Sequence, residues 1–291
     1  MAFRTVVVDT HSKLEYSLSY LVFRTPDVTK KILLDEIHTI IIASTAVSLT
    51  TSLINELSKR KIKVIFCDEK HNPSCELVSC RGNSNSSRRI REQISWDEDI
   101  RNLVWQAITR RKILNQSYFL LQRDIKEYAE FLHDFAENVE IGDSTNREGH
   151  AAKIYFNHGF FDGFTRDKDC FLNACLDYGY TVLLSEFNRA VVASGYITQI
   201  GIHHKNDFND FNFSCDLIEP FRFIVDEKAI SLKETDDFKA EMIALLGKEV
   251  SQNGKTQTLS NAIGIYCNSV FTALNTGDVS KIAFLDYGTR G

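Results

Sequence analysis

The sequence predicts an α+β protein, in which an N-terminal β-sandwich or β-sheet domain precedes a larger, all-α-helical catalytic domain. Near the start, apolar residues recur at every second position, as they do in half-buried strands. A polar, arginine-rich stretch follows, and beyond it the apolar residues recur with the 3.6-residue spacing of amphipathic helices. A chain of 291 residues is long enough to form two ordinary domains.

Residues 1–80 are predicted to form the β-rich domain. Alternate residues from Leu14 to Val22 are apolar, which indicates a strand with one buried face. Further short apolar runs flank one amphipathic helix, for which Ser48 is a suitable N-terminal cap. Several short strands around a single helix favour a small sheet or sandwich.

Residues 81–95 are predicted to be an Arg-rich linker. Their first half is a turn-rich run of glycine, asparagine and serine, and their second half contains clustered arginines. A solvated linker and a phosphate-binding arm explain this composition equally well.

Residues 96–291 are predicted to be helical. An apolar stripe over 100–108 ends in a basic run at 110–112, where cations suit the end of a helix dipole. The segment 178–196 is apolar nearly all round, so we expect it at the centre of the domain. Further helices are predicted over 118–139, 236–248 and 258–274.

The composition is that of an ordinary globular protein, with 43% apolar and 25% charged residues. The formal net charge of -5 gives no global sign of a polyanionic partner, although local basic patches decide nucleic-acid binding. The 7 cysteines are scattered, which favours reduced thiols over a disulfide framework. With no signal-peptide pattern and no apolar run of transmembrane length, we expect a cytoplasmic protein without membrane contact.

Two adjacent histidines and two carboxylates form the first candidate site. His203 and His204 precede Asp216 and Glu219, which share a face of a helical turn because they are three residues apart. Imidazole and carboxylate groups in one pocket can bind a divalent metal ion. In the alternative interpretation, Asp216 lies at a helix start, where the dipole favours a negative charge, and the histidines belong to a loop or the core.

Glu148 is a candidate third ligand. It lies in line with Ala151, Ala152 and Tyr155 on the apolar face of a predicted helix, where a carboxylate is costly unless it is paired or bound to a metal. The alternative is a capping box, in which Glu148 reaches back to the backbone near Thr145. The local pattern leaves both open.

Four motifs, in this order, resemble the CRISPR-associated protein one family, the spacer-acquisition integrases of CRISPR adaptation. They are Asn146-x-Glu148-Gly149-x-Ala151-Ala152, Asn173-x-x-Leu176-x-Tyr178-Gly179-Tyr180, Gly201-Ile-x-His204 and Asp216-Leu-x-Glu219-Pro-Phe-Arg222. The order of motifs matches over essentially the whole chain. The stretch from Val8 to Tyr16 is most similar to members from type II-A systems.

The resemblance implies that Glu148, His204 and Glu219 are the catalytic metal ligands, for Mg2+ or Mn2+. Glu219 is longer than the aspartate often found there, and His203 replaces an apolar residue. Asp216 either shares the ligand role or supports it, and Asn146 and Tyr155 are further supporting candidates. Tyr155 lies near Glu148 and is a candidate brace for a DNA end, and the alternative is that it belongs to the core. The candidate DNA-binding residues, for each of which a solvated basic face is an equally good explanation, are Arg81, Arg88, Arg89, Arg91, Arg110, Arg111 and Arg222.

The function implied is transesterification, in which the 3'-hydroxyl ends of captured DNA fragments join the repeat of a CRISPR array, with residual endonuclease activity. The implied partners are double-stranded DNA, a second copy through the N-terminal domain, and a bridging dimer of the small second CRISPR adaptation protein. A type II-A member would add a ring-shaped DNA-end-binding protein and the effector nuclease. The alternatives are a nuclease or phosphoesterase that only hydrolyses, and a catalytically silent DNA-binding scaffold.

Overall fold

The computed structural model describes residues 4–69, 71–79 and 85–287. The chain divides after Ser84 into an N-terminal unit and a C-terminal unit. This division lies inside the predicted linker, but Ser86–Ile94 forms a helix of the C-terminal unit. Its buried Gln93 donates hydrogen bonds to the carbonyls of Ile197 and Ile200, at 2.9 and 2.8 Å.

The N-terminal unit contains two four-stranded sheets and one α-helix within its described residues. The strands are β1 (Arg4–Val8), β2 (Ser12–Ser17), β3 (Tyr20–Arg24), β4 (Thr29–Leu33), β5 (Ile37–Ile42), β6 (Val47–Leu49), β7 (Lys63–Cys67) and β8 (Pro73–Glu76), and helix α1 is Thr51–Lys59. One sheet has the order β1-β5-β7-β8, and the other has the order β4-β3-β2-β6. The predicted β-rich domain is confirmed, and it consists of two sheets.

The alternating apolar run of the sequence is a β-hairpin, not a single strand. Leu18 and Ser19 join β2 to β3 with φ angles of 48° and 69°, the positive pair of a type I′ turn. Leu14 of β2, Ile40 of β5 and Leu53 of α1 are fully buried in one cluster. Both sheets and the helix therefore share a single apolar core.

The C-terminal unit is mainly helical. Its helices are α2 (Ser86–Ile94), α3 (Glu98–Gln122), α4 (Lys126–Glu137), α5 (Arg147–His158), α6 (Phe171–Ala193), α7 (Asn212–Ile218), α8 (Arg222–Ser231), α9 (Phe238–Ala244) and α10 (Leu259–Thr276). The prediction of a helical domain is confirmed, except that β9 (Glu249–Gln252) and β10 (Lys255–Thr258) pair as a short hairpin. No helix in the described ranges combines the length and apolarity that crossing a bilayer requires.

Helix α3 is the frame of this unit. The sequence predicted a helix end at the basic run 110–112. Helix α3 instead continues to Gln122, with a total length of 25 residues, because no glycine or proline interrupts it. It contacts α4, α5, α7, α8 and α10. The basic run therefore lies in the middle of a central helix, and Lys112 is buried.

Candidate active site

A lysine lies between two carboxylates inside the C-terminal unit. Nζ of Lys112, on α3, forms ion pairs with Oε1 of Glu148, on α5, and with Oε2 of Glu219, directly after α7. The side chains of Lys112 and Glu219 are 9% and 6% exposed, and that of Glu148 is 30% exposed. Two carboxylates that are far apart in the sequence thus converge on one cation.

Arg222 adds a second cation behind Glu219. Its Nε lies 2.9 Å from Oε1 of Glu219, and its guanidinium carbon lies 4.8 Å from the centre of the Tyr180 ring. Burial opposes ionisation of Glu219, but Arg222 and Lys112 together lower the pKa of Glu219 to about 2. Burial also opposes the charge on Lys112, yet the attraction of Glu219 and Glu148 raises the pKa of its ammonium. The cluster is therefore a charged network at neutral pH.

Glu148 is not used as a helix cap. Helix α5 is capped by Asn146, which has a φ of 52° and accepts a hydrogen bond from the amide of Gly149 at 3.3 Å. Asp143 accepts two further amides, including that of Glu148 at 3.0 Å. Because Asn146 and Asp143 bind the first amides of the helix, the Glu148 carboxylate is not needed there, and it pairs with Lys112. The capping-box interpretation of Glu148 is not what the structure shows.

A buried aspartate organises the histidine loop, residues 201–205. Asp216, on α7, accepts the backbone amides of Ile202, His203 and His204 at 2.7, 3.1 and 3.1 Å. A Cβ atom at Gly201 would lie 2.6 Å from Oδ2 of Asp216, so the close approach of loop and carboxylate requires glycine there. Asp216 lies inside α7 and not at its start, and its carboxylate binds the backbone of the histidine loop.

The two histidines have different surroundings. Nδ1 of His204 lies 2.6 Å from Oδ1 of Asp216, and this hydrogen bond raises the pKa of His204 in spite of partial burial. When Nδ1 donates to the carboxylate, Nε2 of the neutral ring keeps its lone pair for another partner. His203 instead stacks on Trp105, with ring centroids 4.2 Å apart and planes 6° apart, and burial lowers its pKa.

One face of α3 connects the histidine loop to the carboxylates. The ring of Trp105 also contacts that of His204 in an edge-on arrangement, with ring centroids 5.7 Å apart. Trp105 lies seven residues before Lys112, which is about two helical turns away on the same face of α3. Sequence reasoning missed both residues. The signal for Lys112 was its place on the apolar stripe of α3, four residues after Ile108, which is the same pattern that singled out Glu148.

The side chains of this site provide some of the ligands that a divalent metal ion requires. The Lys112 ammonium lies between oxygens of Glu148 and Glu219, and carboxylate oxygens are the ligands that Mg2+ and Mn2+ prefer. His204 does not join them directly. Over residues 4–69, 71–79 and 85–287, no three His, Cys, Asp or Glu side chains are arranged to hold a metal ion.

Tyr155 is fully buried, which agrees with the interpretation of this aromatic residue as part of the core. Its hydroxyl donates to Oδ2 of Asp226 at 2.8 Å, and the hydroxyl of Tyr180 donates to Oδ1 of the same carboxylate. Tyr180 is also the ring beneath Arg222. Asp226 therefore ties α5 and α6, through two tyrosines, to the helix that begins at Arg222.

We expect Asp226 to make stability depend on pH. Burial raises the pKa of Asp226 from 3.8 to about 6, although hydrogen bonds from Tyr180 and Tyr155 oppose the shift. The folded protein thus binds this proton more tightly than the unfolded chain, so stability falls as the pH rises from about 4 to about 6, by roughly 3 kcal/mol.

Urea unfolding of the wild type and of Asp226→Asn at pH 4.5 and pH 7 checks this expectation. The wild type should lose stability relative to the variant as the pH rises. Comparing the two proteins at each pH removes the contribution of the other titrating acids, which is the same in both. A difference that is equal at both pH values would contradict it.

Three of the candidate DNA-binding arginines are exposed. Arg88 pairs with Glu92 at 3.3 Å, Arg110 pairs with Glu137 at 2.7 Å, and Arg91 lies in the last turn of α2. Arg81 lies outside the described residues. The side chains of Arg88, Arg91 and Arg110 are therefore accessible to solvent.

The other three arginines bond within the protein. Nη1 of Arg89 lies 3.3 Å from the hydroxyl of Tyr196, and Arg111 donates to the carbonyl of Tyr287 at 3.1 Å. Arg222 is held by Glu219. Clustering in the sequence did not distinguish these internal guanidinium groups from exposed ones.

Residues 5–257 match the model of the family described as "CRISPR associated protein Cas1". This chain belongs to the Cas1 family. The family assignment made from the four motifs is thereby confirmed, and the type II-A subtype stays a prediction. The CRISPR-associated endonuclease Cas1 of Neisseria meningitidis serogroup C (strain 8013) is 29% identical over 242 residues, which cover 83% of this Cas1 chain and 80% of the relative.

Two solved structures share the Cas1 fold seen here. A casposase bound to integration product has a TM-score of 0.73 and 20% identity, covering 94% of this chain and 91% of that one. A Cas6-RT-Cas1–Cas2 complex has a TM-score of 0.75 and 18% identity. The match covers 96% of this chain but only 36% of that larger polypeptide.

Proposed function

We propose that this Cas1 protein is a metal-dependent DNA integrase of CRISPR adaptation, which joins the 3'-hydroxyl ends of captured DNA to a CRISPR repeat. The observation that carries the proposal is the convergence of Glu148 and Glu219 on one cation position, two helical turns along α3 from the Trp105 that contacts His204. The names of the relatives support it, since they include an endonuclease and a casposase bound to integration product.

Glu148, Glu219 and His204 are the proposed ligands of a Mg2+ or Mn2+ ion. His204 is proposed ahead of His203, because Asp216 orients its ring and leaves Nε2 available, whereas the His203 ring is stacked on Trp105. When bound, the ion polarises a phosphoryl oxygen and lowers the pKa of an attacking hydroxyl.

The protein's own residues position the reacting groups. Arg222 holds the Glu219 carboxylate through its Nε, and Asp216 fixes the backbone and ring of His204. The attacking hydroxyl comes from DNA, so the site needs no nucleophilic side chain. Where water replaces that hydroxyl, the same arrangement cleaves DNA, which accounts for a residual endonuclease activity.

DNA and protein partners follow from the same proposal. The exposed Arg88, Arg91 and Arg110 would contact phosphates, with the salt dependence that counterion release produces. The Cas1–Cas2 composition of a structural relative supports Cas2 as a partner. We propose that a Cas2 dimer bridges two Cas1 homodimers. The ring-shaped DNA-end-binding protein and the effector nuclease are proposed only for a type II-A system.

The type of product tests the proposal. Purified protein and its Cas2 partner are mixed with a duplex that has labelled 5' ends and free 3'-hydroxyl ends, and with a repeat-bearing plasmid, in the presence of Mn2+, Mg2+ or EDTA. Integrase activity gives label covalently joined to the plasmid in a metal-dependent way. Cleaved plasmid without joined label would favour the hydrolytic alternative, and DNA binding without either product would favour the silent scaffold.

A further inference from the structure

We infer that Lys112 is a built-in counter-ion, which takes the place of the metal ion in the metal-free protein and is displaced when a divalent ion binds. The inference rests on the proposed function, because it concerns the same two carboxylates. Its basis is geometric: a single ammonium, on a side chain that is 9% exposed, pairs with one oxygen of Glu148 and one of Glu219.

The ammonium and a metal ion would compete for the same two oxygens. Divalent ions bind carboxylate oxygens at about 2.0–2.6 Å, so a bound ion between Glu148 and Glu219 would lie where Nζ of Lys112 now lies. Two cations cannot occupy that position together. Metal binding would thus include the free energy of breaking two ion pairs, of which the one with Glu219 is buried, and Lys112 lowers the apparent affinity for metal.

The charges of the cluster support this exchange. In the metal-free protein, Lys112 and Arg222 balance Glu148 and Glu219. If a divalent ion replaces the ammonium between the carboxylates, the cluster gains one net positive charge, which a phosphodiester group of DNA can neutralise. Lys112 would therefore link metal binding to DNA binding, because the exchange is most favourable when a phosphate is present.

Lys112 should also contribute to the stability of the metal-free protein. Without the ammonium, Glu148 would lose its ion pair with Lys112, and Glu219 would be a buried acid that keeps Arg222 but has lost one of its two cationic partners. Removal of the lysine should therefore destabilise the metal-free protein, and a divalent ion should restore the stability. A lysine with only a structural role would show the first effect without the second.

The test is calorimetric titration of Mn2+ into the metal-free wild type, Lys112→Met and Lys112→Arg, combined with thermal unfolding in EDTA and in Mn2+. Lys112→Met should bind Mn2+ at least tenfold more tightly than the wild type, melt at a lower temperature in EDTA and gain more from Mn2+. Lys112→Arg keeps the charge and should bind Mn2+ no more tightly than the wild type. Lys228→Met, which breaks a surface pair with Glu241, is the matched control and should change neither quantity.

Equal or weaker Mn2+ binding by Lys112→Met would overturn the inference. If that variant does not fold in EDTA, folding restored by Mn2+ supports the inference, and failure to fold in Mn2+ as well contradicts it. Glu148→Gln separates this inference from the proposed function. Undiminished Mn2+ binding in Glu148→Gln would refute the metal site itself, whereas lost binding there, with unchanged affinity in Lys112→Met, would refute only the role of Lys112.

Discussion

Replacing Asp216 with alanine is expected to reduce DNA joining and cleavage by about 100-fold and the free energy of unfolding by about 3 kcal/mol or more. The variant removes the acceptor for the amides of Ile202, His203 and His204, and also the partner of the His204 ring. Each buried donor left without an acceptor costs about 1–3 kcal/mol. The histidine loop should then lose its fixed conformation, and Nε2 of His204 its orientation.

Strand-joining rates and denaturant unfolding check the Asp216 prediction. Asp216→Asn should be intermediate, because its amide nitrogen cannot accept a hydrogen bond. Asp207→Ala, at an exposed aspartate just beyond the loop, is the matched control and should behave as the wild type. Wild-type joining by Asp216→Ala would show that the loop does not need this carboxylate.

Glu219→Gln is expected to lower activity by about 1,000-fold and stability by about 3–5 kcal/mol. The variant leaves Lys112 with Glu148 as its one carboxylate partner in this cluster and removes the Glu219 partner of Arg222, so positive charge is left uncompensated there. Glu219→Asp is the matched control, because it keeps the negative charge and shortens the side chain by one methylene group. We expect it to retain most of the stability and part of the activity.

The stability effect of Glu219→Gln should depend on pH. The pKa of Glu219 is about 2 in the folded protein, below its usual value of 4.5, so its contribution is complete above about pH 4.5 and is lost as the pH falls towards 2. The stability difference between wild type and Glu219→Gln should therefore shrink on acidification. A difference that grows at low pH would contradict the ion pairs assigned to Glu219.

Local periodicity predicted much of the fold, since it reports which face of each element is buried. It predicted a β-rich N-terminal unit, a helical C-terminal unit and the inward face that carries Glu148. It did not predict that β1 pairs in parallel with β5, because this pairing joins residues that are more than 30 positions apart. The 14–22 run was predicted as a strand, because the positive φ angles at Leu18 and Ser19 have no glycine or asparagine to signal them.

The candidate site was predicted only in part, for a similar reason. The acidic residues and the histidines were identified by type and order, but their partners depend on tertiary contacts. Asp216 binds amides 12 to 14 residues earlier in the chain. Lys112 was interpreted as a cation at a helix end, and only the continuous α3 places it between Glu148 and Glu219.

We propose above that Glu148 and Glu219 form a metal site for DNA strand joining. The most direct test of this proposal is the rate of strand joining as Mn2+ is titrated, measured for the wild type, Glu148→Gln and the control Glu130→Gln, at an exposed glutamate of α4. We expect saturable, metal-dependent joining in the wild type and in Glu130→Gln, and none above background in Glu148→Gln at any Mn2+ concentration. Joining by Glu148→Gln with the wild-type dependence on Mn2+ would contradict the proposal.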